Sequence, residues 1–194
     1  MTPALAKAVY VVLAVAWYVI RFPYARRARR TPVVRSGRGW REHMLLLISL
    51  AGLGIIPSIY VATGWPQTAE HAFHPLLAWL GLITAAAATA MFYLTHHALG
   101  RMWSVSLDVR EGHKLITGGV YRHVRHPMYS AFWLWALAQA LLLPNWVAGL
   151  AGAIGFGALY FFRVGREEKL MLETFGDSYR NYMSRTKRVV PWLY

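Results

Sequence analysis

The chain has 194 residues, of which 57% are hydrophobic, only 15% are charged and none is cysteine. Soluble domains usually carry about 25% charged residues, so the membrane is the default solvent, and the missing thiol excludes disulfides, thiolate zinc sites, a catalytic cysteine and lipid attached to a cysteine of this chain. A formal charge of +13 would suit nucleic acid only if the basic residues formed one face.

Five apolar stretches follow in chain order, 3–20, 44–62, 75–94, 127–143 and 145–162. Each is near the ~20 residues that cross the hydrocarbon layer as a helix. Only the first holds a charge, Lys7, close enough to its outer end to snorkel to the interface. A secretory leader would carry its basic residues before the apolar run and a small-residue cleavage site after it, and the first stretch has neither arrangement. The last two stretches form one uncharged run that would be about 54 Å long as a single helix. Pro144 and Asn145 interrupt it, which predicts a helical hairpin bent at 143–145. Small residues recur between Ala148 and Gly157 at four-residue intervals, which allows a close helix neighbour.

Lysine and arginine set the expected orientation. Eight lie in 21–41, five in 101–125 and seven in 163–188, all on one side of a five-span arrangement, with Lys7 alone on the other. The positive-inside tendency makes that side the cytoplasm and leaves the 63–74 loop outside. The Arg26-Arg27-Ala28-Arg29-Arg30 cluster reads as a topology signal and anionic-lipid anchor, not as a nucleic-acid surface.

Two cytoplasmic pieces of about thirty residues each, 95–126 and 163–194, are long enough to imply a binding role. The first should turn at Gly112 and Gly118-Gly119. The second should continue the fifth helix through Arg163, Glu167 and Glu168, break at Gly176, and resume as a short helix capped by Asp177 and carrying Tyr179, Tyr182 and Met183. Arg163 and Glu167, four apart, share a helix face, while Glu168 points about 100° away. Eight histidines include the pairs His71/His74, His96/His97 and His123/His126, but none has recognised metal-ligand spacing, and P-loop, GxGxxG, GxSxG and HExxH patterns are absent.

His113-Lys114-Leu115-Ile116-Thr117-Gly118-Gly119-Val120-Tyr121, then Arg125-His126-Pro127-Met128-Tyr129, the hairpin, Arg163 with Glu167-Glu168, and Phe175-Gly176-Asp177 with Tyr179 and Tyr182 together resemble the isoprenylcysteine carboxyl methyltransferase family. The resemblance covers 113–191, and related membrane methyltransferases acting on phospholipid amines share much of it. It implies an all-α integral membrane bundle of about five transmembrane helices with a cytosolic cofactor-binding cap, forming one methyltransferase domain over 1–194. It further implies S-adenosylmethionine as cofactor, bound by His113, Lys114, Leu115, Ile116, Tyr121, His126, Pro127, Met128, Tyr129 and Glu167, and no metal. Arg163 would hold the carboxylate of a lipid-bearing or prenylated substrate as the catalytic residue. One departure is Ala131, where family members often have glycine. The competing readings are an amine or phospholipid methyltransferase, a membrane reductase using a reduced nicotinamide, and a non-catalytic lipid-binding scaffold.

Overall fold

In the computed structural model, residues 1–28, 33–36, 39–103, 108–110 and 114–193 are described. The expected hydrophobic segments are helices: α1 (Pro3–Ala28), a broken second helix made of α2 (Trp40–Leu50), a π-helical turn (Ala51–Ile55) and α3 (Ile56–Thr63), then α4 (Pro75–Leu99), α5 (Pro127–Leu142) and α6 (Trp146–Phe175). A short α7 (Asp177–Arg185) follows. Among the described residues four helical segments, α1, α2 through α3, α4 and α6, are long and apolar enough to cross a membrane. With 16 residues, α5 reaches about 24 Å. Outside the helices, β1 (Val33–Ser36) and β2 (Asp108–Arg110) pair as an antiparallel two-stranded ribbon, with its register shifted between Val33 and Arg35.

The π turn inside the second span has a readable cause. Pro57 has no N–H to return to the carbonyl four residues earlier, and the Tyr10 hydroxyl donates to that Leu53 carbonyl instead, at 2.8 Å. One residue earlier, the Gly52 carbonyl accepts from Gln139 Nε2 at 3.1 Å. Buried backbone acceptors in a bilayer must be satisfied within the protein. Two side chains from α1 and α5 therefore pin the break in place.

Asn145 ends the bend between α5 and α6 as expected: its side chain accepts from Ala148 N at 2.9 Å, and its amide donates to the Pro66 carbonyl at 2.8 Å. His71 N also donates to the Pro144 carbonyl, so the 64–74 loop is fastened to the tip of the hairpin. The small residues of α6 face neighbours within the same chain. A Cβ on Gly52 would stand 2.2 Å from the Ala151 carbonyl oxygen, and one on Gly155 2.6 Å from that of Ile48. On the other flank, a Cβ on Gly149 would meet Ala140 of α5 at 3.3 Å. The core between α1, α4 and α5 is built from Tyr10, Trp17, Ala85, Ala88, Phe92 and Trp135, with Trp17 stacked on Phe92 at 3.9 Å between ring centroids.

Gly176, at φ 53°, breaks α6 from α7 as expected. Asp177 does not cap α7. The cap position belongs to Gly176, no side chain caps it, and Asp177 is the first helical residue, exposed and paired with Arg180. The left-handed φ that glycine tolerates ends α6 one residue before Asp177, which leaves the aspartate already inside the next helix.

Candidate active site

At the end of the bundle opposite the 64–74 loop, a cavity of about 1000 Å³ opens between α1, α2, α5, α6, α7 and the segment before α5. Beyond the apolar part of α6, residues 163–175 continue as helix for about 20 Å. That extension carries Arg163 and Glu167 to the cavity and Glu168 to its outer side.

The segment before α5 is shaped by Gly119, whose φ of 60° starts a single helical turn through Arg122 that buries Tyr121. The Tyr182 hydroxyl donates to the Tyr121 carbonyl at 2.6 Å, locking α7 onto this turn. Burial, reinforced by the charge of Glu167, holds the Tyr121 phenol well above its ordinary range, and burial pushes Tyr182 up to about 12. Both phenols therefore stay protonated at neutral pH.

His126 precedes α5, and its ring stacks on Tyr129 at 5.3 Å between centroids. The Tyr129 hydroxyl donates to Glu167 Oε2. Arg163 Nε lies 3.9 Å from the same Glu167 oxygen, the expected contact across one helical turn, and 3.3 Å from Glu42 Oε1. The Glu42 side chain is 1% exposed, whereas that of Glu167 is 30% exposed, so Glu167 is the carboxylate open to a ligand. Glu168 turns away and gathers Arg125 (2.7 Å), His126 (3.2 Å) and Arg188 (2.8 Å). Hydrogen bonds to the backbone of 187–189 join the same pieces: Arg125 N donates to Lys187 O, His126 N to Arg188 O, and the Ser130 hydroxyl to Val189 O.

Lys114, Leu115, Ile116, Tyr121, His126, Met128, Tyr129, Arg163 and Glu167 thus line one cavity, although the first and last of them are 53 positions apart in sequence. Pro127 does not line it; it is buried as the first residue of α5, where a missing N–H costs no helical bond. His113 lies outside the described residues. Sequence reasoning passed over Glu42 and Arg21. The signal for Glu42 was present, since it is the only acidic residue among the first 69. Arg21 lines the cavity from α1 but is masked in the sequence by the basic run that follows it. The apolar part of the cavity is walled by Ala14 and Trp17 of α1, Leu50 of α2, Phe132 and Trp135 of α5 and Phe156 of α6. The first two spans consequently do more than anchor the chain.

Among the described residues no group of three potential metal-binding side chains occurs, and buried His96 bonds the Phe92 carbonyl through Nδ1 at 2.9 Å.

The fold is that of a helical integral membrane protein, and it is similar, with a TM-score of 0.55 and 20% identity, to a solved structure described as the eukaryotic intramembrane Ras methyltransferase ICMT. That similarity covers 79% of this chain and 53% of the other. Residues 79–173 match the isoprenylcysteine carboxyl methyltransferase (ICMT) family, a stretch that takes in the motifs read from 113 to 168, extends back over α4, and stops before Phe175-Gly176-Asp177. The chain is 37% identical over 81 residues to a protein-S-isoprenylcysteine O-methyltransferase of Schizosaccharomyces pombe, a match covering 42% of this chain and 34% of that protein. It is 33% identical over 96 residues to protein-S-isoprenylcysteine O-methyltransferase B of Arabidopsis thaliana, covering 48% and 49%, and 28% identical over 131 residues to a probable enzyme of that name from Oryza sativa, covering 66% and 67%. The chain therefore spans a third to a half of the length of the first two. Glu42 and Arg21 fall outside the stretch that matches the family.

Proposed function

We propose that this chain is an integral membrane methyltransferase that transfers a methyl group from S-adenosylmethionine to the carboxylate of a lipid-bearing substrate, at a face turned to the cytoplasm. The observation that carries the reading is a single cavity with a polar end, formed by Glu167, Tyr129, Tyr121 and His126, that continues into an apolar space between α1, α2, α5 and α6. The names of the relatives, protein-S-isoprenylcysteine O-methyltransferases, support a prenylated acceptor.

The donor set fits the cofactor. A partly exposed carboxylate, two aromatic faces and the turn before α5 suit a cation joined to an amino acid and a nucleoside. When bound, S-adenosylmethionine supplies an electrophilic methyl on a positively charged sulfur. Glu167, Tyr121, His126, Met128, Tyr129, the 114–116 segment and, through the start of α5, Pro127 would hold it. Arg163 would orient the acceptor carboxylate through paired guanidinium donors, a geometry that a point charge cannot reproduce. A free carboxylic acid, which ordinarily loses its proton near pH ~4, is already ionised at neutral pH, so no general base is required. Apolar walls exclude water, and fixing the two reactants in line lowers the barrier by several kcal/mol.

One observation favours a second reading, an amine acceptor. Glu42 and Glu167 both lie within 4 Å of Arg163, so the trio has a formal charge of −1. The test is methyl transfer from labelled S-adenosylmethionine to a panel of prenylated thiol acids, free lipid acids and phospholipid amines. Turnover of the acids supports carboxyl methylation. Faster turnover of an amine, with Arg163→Met nearly as active, overturns it, and absence of S-adenosylhomocysteine binding overturns both enzymatic readings in favour of a scaffold.

A further inference from the structure

The charge count around Arg163 raises a difficulty for any anionic acceptor. Arg163 is flanked by Glu42 at 3.3 Å and Glu167 at 3.9 Å, so an incoming carboxylate meets a net negative trio in a space of low dielectric, where repulsion is weakly screened. A further cation is needed near the acceptor. Arg21 meets that need: it lines the same cavity as Arg163, is half-buried, and comes from α1, on the apolar side of the site. Among the described residues it forms no hydrogen bond or ion pair; its guanidinium instead rests over the buried Trp103 ring, 5.0 Å from the centroid.

A cation–π contact engages the charge of the guanidinium without using its five N–H groups as conventional hydrogen-bond donors, so they stay available to a ligand. Of the other arginines around the site, Arg125 and Arg188 are committed to Glu168 and Arg163 to Glu42 and Glu167, while Arg26 and the cation Lys114 line the cavity at exposed positions where water and salt screen their charge. With Arg21 included, the formal charge of Arg21, Arg163, Glu42 and Glu167 is zero, and a sulfonium cation together with an acceptor carboxylate adds zero again. Without Arg21 this buried group would carry a formal charge of −1 when loaded, which is costly away from water, with only the exposed Arg26 and Lys114 to offset it.

We propose that Arg21 is a second carboxylate-holding residue of the cavity and sets its preference for an anionic lipid head over a neutral one. This rests on the carboxyl-methylation reading above. Arg163 aims the acceptor, and Arg21 supplies the net charge that admits it.

The test uses the full chain in lipid nanodiscs with three probes: an S-farnesyl thiol acid and palmitic acid as acceptors, and the primary amide of the S-farnesyl compound as a competitive inhibitor. For Arg21→Met, KM for the acid that the unmodified protein turns over should rise about 10- to 100-fold, the effect of losing a hydrogen bond to a charged group. The inhibition constant of the amide and the affinity for S-adenosylhomocysteine should each stay within about two-fold, well below that effect. Arg21→Lys should fall between the two, and it carries the same comparison if the methionine variant does not fold. Arg27→Gln, at an exposed cation outside the cavity, should leave the acid-to-amide ratio unchanged and so excludes a general surface-charge effect. Acid and amide weakening together, or neither changing, in a chain that methylates the acid would overturn the role of Arg21 alone. An unmodified chain that methylates a lipid amine in preference to both acids would overturn the carboxyl reading, and this assignment with it.

Discussion

Adjacent glutamates on α6 should respond in opposite ways to the same substitution. Glu168 is 6% exposed on its side chain and sits among Arg125 at 2.7 Å, His126 at 3.2 Å and Arg188 at 2.8 Å. Glu168→Gln keeps the shape but removes the charge that these three donors share. Breaking a buried ion pair from one side costs about 3–5 kcal/mol, and for a chain of this size each kcal/mol lowers Tm by about 2–4 °C. A loss of about 6–20 °C is therefore expected. Glu167 is 30% exposed, so its pairing is partly screened and worth about 0–1 kcal/mol to the fold. Glu167→Gln should melt within about 4 °C of the unmodified protein while binding S-adenosylhomocysteine at least about ten-fold more weakly. Thermal unfolding and calorimetric titration of both variants in nanodiscs decide the matter. The reasoning fails if Glu168→Gln melts with the unmodified chain, or if Glu167→Gln is the less stable of the two.

Arg163→Met should retain cofactor affinity and lose most turnover, with lysine restoring only part; full lysine rescue in steady-state assays would reduce Arg163 to a point charge. Gly155→Ala would drive a methyl to 2.6 Å from the Ile48 carbonyl oxygen, and overpacking of that kind costs about 1–3 kcal/mol, to be read as a lower Tm; an unchanged Tm would mean that α2 and α6 are not so closely apposed. Because the chain lacks cysteine, Thr68→Cys should react with an impermeant thiol reagent in intact cells and Ser184→Cys should not. Labelling of Ser184→Cys would reverse the proposed sidedness.

The sequence announced features whose cause is local. Pro144 and Asn145 mark the hairpin bend, Gly176 the end of α6, and the Arg163–Glu167 spacing a shared helix face, because each depends on residues a turn or less apart. Motif order likewise indicated which residues from 114 to 167 meet around one cavity. Interactions between remote segments stayed hidden. Glu42 reaches Arg163 across 121 positions and the Gly52 carbonyl meets Gln139 across 87, and no periodicity encodes such pairings. Arg21 was obscured for another reason: within a basic run, an arginine turned into a cavity has the same composition as any other. Asp177 is ambiguous in sequence because aspartate is favoured both at the cap and in the first turn, and only the backbone of Gly176 separates the two.

The backbone bond from His126 to Arg188, and the bond from the Ser130 hydroxyl to the Val189 carbonyl, also set an order of events during synthesis. His126 leaves the ribosome about 60 residues before its partner, which at about 5–20 residues per second is an interval of roughly 3–12 s. Over the last 20 residues of that interval, about 1–4 s, the α5–α6 hairpin can already insert while Glu168 has Arg125 and His126 but not Arg188. The newborn protein is therefore a complete anchor before it is a complete pocket, and its ability to hold a ligand arrives as a late, single closure when the final turn of chain folds back against the membrane-facing helices.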